Sequence, residues 1–127
     1  MNSEKMNNAI VRRPEQYSVQ EFDWGRLVWM ISGPDGSSET MTVGMCYIKP
    51  GQANPVHFHP NCDEVLHMLQ GRISHTRGTD PEVEMQAMDT ISIPSGVPHN
   101  ARNVGDQEAI MLVSFSSADR KMTPVRD

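Results

Sequence analysis

His57 and His59 stand two residues apart, and a carboxylate, Glu64, follows five residues later. Gly51 and Gly71 bracket the set. Imidazole and carboxylate are the donors that borderline divalent transition metals prefer. A lone histidine is most often an ordinary surface or core residue, whereas a His-x-His pair beside a carboxylate is more specific. On a β-strand, residues two apart point to the same face. His57 and His59 therefore reach one ion from one strand, and Glu64 closes on it from the next. A second segment, Pro94-Ser95-Gly96-Val97-Pro98-His99-Asn100-Ala101-Arg102-Asn103, sets His99 at the start of another strand behind a rigid turn. That position suits a fourth ligand arriving from across a small barrel.

Residues that meet from distant parts of the chain need a scaffold, and the pattern proposes an all-β one. Arg26–Ile31 is apolar from Leu27 onward without a break, so both of its faces need cover. The outer cover is either another layer of the same fold or a second subunit. Met41, Val43, Met45 and Tyr47 alternate with Thr42, Gly44 and Cys46, the period of a half-buried strand. Further strands are expected at about 56–59, 64–69, 72–77, 82–86, 90–93, 98–102 and 109–115. Turn residues punctuate them at Gly33–Ser38, Lys49-Pro50-Gly51, Gln70-Gly71, Gly78–Pro81, Pro94-Ser95-Gly96 and Gly105-Asp106. No segment carries a helical period. Many short strands at regular spacing imply a sandwich or barrel.

The chain has 127 residues, of which 37% are hydrophobic and 21% charged. That fits a single domain with a true core. Residues 1–13 read as a loose polar tail and 14–127 as the domain. The formal net charge of −5 and the lack of a basic stripe argue against a nucleic-acid partner. No run approaches the roughly 18 apolar residues of a membrane helix. The polar start of the chain, Met1–Ile10, lacks the apolar region of a signal peptide. Cys46 and Cys62 match no disulfide framework or zinc motif. These features lead to the expectation of a cytoplasmic protein with reduced thiols.

Both segments carry a family resemblance. Gly51-x5-His57-x-His59-x4-Glu64-x6-Gly71 resembles the first motif of the cupins at every position, and Pro94-x-Gly96-x2-His99-x3-Asn103 resembles the second. The resemblance covers about residues 40–115. It implies a double-stranded β-helix, a small jelly-roll-like barrel, with one divalent transition metal ion inside. Carried over by position, His57, His59, Glu64 and His99 are the metal ligands, and Gly51, Gly71, Pro94, Gly96 and Asn103 are framework positions. The second motif usually opens with glycine six residues before the proline, and Met88 stands there. A methionine resists the positive φ that such a turn needs.

Three imidazoles and one carboxylate leave two open positions on a six-coordinate ion. Iron, manganese, nickel, zinc and copper all accept this set, as Lewis acid, template or O₂ activator. Strand alternation puts Leu66 and Met68 on the face of Glu64, and Ala101 on that of His99. Tyr47, Gln52, Asn54, His67 and His75 are the polar residues expected near the site. In several cupin lyases that cleave dimethylsulfoniopropionate, a tyrosine near the ligand carboxylate is the base, and here the position two after Glu64 is Leu66. The lining therefore favours O₂-dependent oxidation of a small organic molecule, of dioxygenase type. A metal-dependent isomerase, lyase or cyclase is the alternative enzyme, and a non-catalytic metal or small-ligand module, such as a sensor, the alternative outside enzymes. The two-sided apolar strand around Trp29 leads to the expectation of a homodimer.

Overall fold

The computed structural model describes residues 8–125. The fold is all-β: β1 Ser18–Phe22, β2 Gly25–Ile31, β3 Thr42–Ile48, β4 His57–Phe58, β5 Glu64–Gln70, β6 Arg72–Arg77, β7 Asp80–Gln86, β8 Thr90–Ile93, β9 His99–Asn103, β10 Ala109–Phe115 and β11 Thr123–Pro124, with one 3-10 turn at Pro14–Gln16. They form two antiparallel sheets, ordered β1-β2-β3-β10-β5-β8 and β11-β4-β9-β6-β7. The inner faces of both sheets supply one core, with Ile48, Met68 and Met111 from the first and Ile73, Met85 and Ala101 from the second. This is the double-stranded β-helix that the motifs imply.

The central strands follow a strict period of two. In β3 and β10, buried and half-buried residues alternate along the whole strand, as the pleat requires when one face meets a core. Gly44 is the small member of β3 for a packing reason. A Cβ there would lie 2.5 Å from the Trp29 ring of β2, so the glycine is what lets the indole lie across the sheet. The two-sided strand around Trp29 divides accordingly. Leu27 and Trp29 pack on the core, while Val28 pairs with Val19 on one side and Met45 on the other.

Two strands lie beyond the sequence pattern. β1 is exposed along its whole length, so it carries no hydrophobic period, and it is held by antiparallel pairing with β2. β11 has two residues and pairs with β4. Part of the expected polar tail, residues 1–7, lies outside the described residues. In its remainder Arg12 reaches back to the domain, donating to the carbonyl of Met30 at 3.3 Å and pairing with Asp35 at 3.3 Å.

The turn at Met88 takes the conformation that the glycine of the motif would have taken. Met88 has φ 79° and is the one non-glycine residue with positive φ among those described. Its N–H donates to Met68 O at 2.8 Å, and the Asp89 carboxylate accepts from Gln86 N at 2.9 Å. The side chain is 71% exposed. The surrounding hydrogen bonds impose the turn, and the methionine tolerates it because its side chain meets no wall. At the other framework position, Asn103 is buried and saturates its amide. It donates to Ile48 O and Gln107 O and accepts from Gly105 N, each at 2.9 Å.

Candidate metal centre

β4 and β9 are neighbours, and His57 and His99 are direct partners across them. The β4 strand ends at Phe58, so His59 sits just past it, where the chain turns toward β5. Glu64 opens β5 in the opposite sheet, paired with Ile93 and Phe115. Three imidazoles thus come from one side of the barrel and the carboxylate from the other. One ligand atom from each of His57, His59, Glu64 and His99 lies within 4.8 Å of the rest. His59, Glu64 and His99 are buried and His57 is half-buried.

The backbone fixes how the rings point. Nδ1 of His57 contacts Pro55 O at 2.8 Å, that of His59 contacts Lys121 O at 2.9 Å, and that of His99 contacts Val97 O at 2.9 Å. A carbonyl only accepts, so each Nδ1 carries the proton and each Nε2 presents a lone pair. Metal-binding histidines are held in this way. Yet Glu64 Oε1 lies 3.1 Å from His59 Nε2 and 2.9 Å from His99 Nε2. With neutral rings, acceptors would face acceptors in a buried site. Only a cation among them, either a proton or a metal ion, reconciles those distances.

The protonation tendencies agree. Burial alone would raise the Glu64 carboxyl, but the close approach of the His59 and His99 imidazoles outweighs it and holds it at about 2. His99 is raised, because Glu64 overcomes the effect of burial. Burial pushes His57 down to about 4, assisted by the neighbouring His99 and His59. His59 Nε2 is buried without a hydrogen bond of acceptable geometry among the described residues. A site short of positive charge, with an orphaned lone pair and an N₃O donor set, fits one divalent transition metal ion held by His57, His59, Glu64 and His99.

Above the four ligands lies a cavity of about 180 Å³, walled by residues that include Phe22, Trp24, Leu27, Leu66, Met111 and Phe115. Of the five polar residues expected near the site, Asn54 and His75 line it and the other three do not. Tyr47 lies on the outer face of the six-stranded sheet under the Arg26 guanidinium, 3.8 Å from the ring centroid. His67 also faces outward, bonded to Thr90 Oγ1 at 2.7 Å. Gln52 is exposed at a turn, where its carbonyl accepts from Asn103 N at 2.9 Å. Tyr47 and His67 follow the alternation of their strands, since their neighbours Cys46, Leu66 and Met68 are the ones that point inward. His75 is buried, 5.6 Å from His99 by ring centroids with the rings nearly parallel at 11°, and its Nδ1 has no partner among the described residues. Burial, and then the charge of His99, push it down to about 4.

The segment after β10 belongs to the site and carries no sequence signal. It crosses over the ligand strand: Asn61 binds Asp119 O at 2.8 Å and Lys121 N at 2.9 Å, and β11 then pairs with β4. Arg120, Met122 and Pro124 on this segment line the cavity. It has neither strand alternation nor a motif, so nothing local marks it.

A family model described as a cupin domain matches residues 44–115. The chain is 31% identical over 93 residues to germin-like protein subfamily 3 member 2 of Arabidopsis thaliana, covering 67% of this chain and 41% of that protein. It is 31% identical over 112 residues to polyketide synthase CurC of Streptomyces cyaneus, covering 82% of this chain and 70% of that protein. In fold it resembles Bacillus subtilis oxalate decarboxylase, solved in work on the Mn(II) centres of that enzyme, with a TM-score of 0.81 at 21% identity over 89% of this chain and 31% of the decarboxylase. The chain thus spans about two-fifths of the germin-like relative and about a third of the decarboxylase. The matched region takes in both histidine motifs and the four residues gathered at the centre: the chain belongs to the cupin family.

Proposed function

We propose that the protein is a metal-dependent enzyme that oxidises a small organic molecule with O₂, as a dioxygenase-type cupin. The observation that supports this reading is the N₃O cluster set at the base of a mostly apolar cavity. A divalent ion bound there supplies Lewis acidity, a template for substrate and, as iron or manganese, access to O₂. The work of the chain is to hold that ion and to keep water out. Three backbone carbonyls orient the imidazoles, and the aromatic walls make a cavity of low polarity in which charge interactions are strengthened. Metal in a protein of similar fold supports the reading, since Bacillus subtilis oxalate decarboxylase has Mn(II) centres.

Proton-transfer chemistry, by an isomerase, lyase or cyclase, is the second reading, and His75 is the observation behind it. It lines the cavity with an unpartnered Nδ1. Held down to about 4, this imidazole is neutral at pH 7 but a weak base, since an efficient base titrates near the working pH. That places oxidation first.

Elemental analysis of protein purified without added metal, followed by O₂ uptake of the iron- and manganese-loaded forms across carboxylates, diketones, catechols and thiols, tests the reading. Stoichiometric metal and O₂ consumption with one of these classes is the expected result. Tight ligand binding without turnover in any metal form would make the protein a binding module instead. His59→Ala is expected to abolish stoichiometric metal binding, and unchanged metal content would sink the assignment.

The proposal includes a homodimer through the outer face of the six-stranded sheet. Val19, Val28, Met45 and Leu112 are successive cross-strand partners over β1, β2, β3 and β10. Val19, Val65 and Leu69 on the same face are 52%, 42% and 43% exposed. An apolar band across four strands is the kind of surface that a second subunit covers.

A further inference from the structure

Among the described arginines and lysines, Arg120 is the one that lines the cavity, and Glu64 is the one carboxylate among the described residues there. Glu64 is engaged by His59 and His99. The two asparagines are engaged with the scaffold, Asn54 through its side-chain oxygen. Asn54 Oδ1 accepts from Ala101 N at 2.8 Å, and Asn100 pairs with Thr76 Oγ1 at 2.6 Å and with Asn54 O at 3.0 Å. Arg120 differs from all of these. Its guanidinium carbon lies 4.5 Å from the Trp29 ring and 5.1 Å from the Phe115 ring. It makes no ion pair or side-chain hydrogen bond among the described residues. Stacking uses the flat face of a guanidinium and leaves its rim of five N–H donors unspent. Burial moves its pKa down and outweighs the charge of Glu64, which acts the other way.

Resting on the reading of the cavity as a substrate site, we infer that Arg120 receives the carboxylate of a small monocarboxylic substrate whose apolar body fills the aromatic part of the cavity. The fork of an arginine matches a carboxylate in two parallel hydrogen bonds, and the two aromatic rings hold that fork in place. Size sets the scale. A dry cavity of about 150 Å³ accepts benzene, and this one measures about 180 Å³, room for a benzene-sized body plus a carboxyl group. The walls exclude a small dianion such as oxalate as the preferred ligand. Apart from a bound metal ion, Arg120 is the one cation among the described residues of the cavity, and Trp24, Leu27, Leu66 and Met111 offer a second carboxylate no polar partner. Arg120 lies outside both histidine motifs, so it is a specificity element added by the segment that crosses the ligand strand.

Benzoate and its neutral isostere benzamide are the probes, with oxalate as the dianion. Both tryptophans of the chain, Trp24 and Trp29, line the cavity, so their fluorescence reports binding directly. The full chain is titrated zinc-loaded and metal-free. Benzoate is expected to bind at least about tenfold more tightly than benzamide, corresponding to about 1.4 kcal/mol. Arg120→Gln is expected to erase that preference and Arg120→Lys to keep part of it, with zinc content unchanged in both variants. In the metal-free protein, equal binding of benzoate and benzamide by the wild type overturns the inference, and so does a preference that survives in Arg120→Gln. Tighter binding of oxalate than of benzoate to the metal-free protein overturns the apolar-body assignment. Metal content in the same samples is the separate arm. Its loss from the wild type defeats the metal-centre reading, while a benzoate preference that persists in metal-free protein leaves Arg120 in its role.

Discussion

His57 and His99 are direct partners across the β4–β9 pair, and their ring centroids lie 4.5 Å apart. They respond to burial in opposite ways. His57, whose contacts are other imidazoles and the Pro55 carbonyl, is pushed down to about 4, while His99, against Glu64, is raised. Two adjacent histidines, one reluctant to take a proton and one eager for it, describe a metal-free cluster that takes up one proton more readily than two.

The stability of the metal-free protein is expected to peak near pH 6.5. As pH falls toward 6.5, folded His99 takes up a proton before its unfolded counterpart does, so stability rises. Below 6.5 the unfolded chain protonates its histidines while folded His57 and His75 resist until about 4, so stability falls across that window. Glu64, held at about 2, adds a further loss below about 4.5. The buried His75 alone accounts for about 2–3 kcal/mol between pH 6.5 and 4. Urea denaturation of chelator-treated protein at a series of pH values checks this, and His75→Leu is expected to flatten the acid limb. A flat profile in the wild type from pH 7 to 4 would contradict it.

Met88→Gly is expected to stabilise the protein by about 0.5–1 kcal/mol. A non-glycine residue at φ 79° carries a left-handed cost of about 1–2 kcal/mol. The extra freedom of glycine in the unfolded chain returns about 0.5–1 kcal/mol of that. The methionine side chain is largely exposed, so its removal loses little packing. The change in midpoint of thermal or denaturant unfolding decides the sign, and a destabilised variant would show that the side chain has a packing role.

Met45→Glu is expected to convert a dimer to a monomer without loss of metal. Met45 lies at the centre of the outer apolar row, between Val28 and Leu112. A charge there would be desolvated without a partner in the proposed interface. Sedimentation of both forms is the measurement, and a wild type that already sediments as a monomer removes the interface.

The chain declares its candidate ligands locally because ligand geometry is a short-range matter. A His-x-His pair, a carboxylate after a fixed turn and a histidine after Pro94-Ser95-Gly96 are set by backbone period and turn chemistry, and both can be read residue by residue. The central strands are legible for the same reason: β3 and β10 alternate without a break. Met88 shows where local propensity yields, since the hydrogen bonds around it fix its backbone against the preference of the side chain. The rest required the folded barrel. Tyr47 and His67 are polar residues close in sequence to the site, yet the pleat turns them outward. Arg120 is remote from both motifs, and it enters the cavity because the chain after β10 folds back over β4. Sequence by itself determined the barrel and the four side chains that cluster as candidate metal ligands, which follow from periodicity and turns. Only the tertiary structure decided which other groups face the candidate ligand cluster, because that depends on pairings between segments whose sequence carries no record of each other.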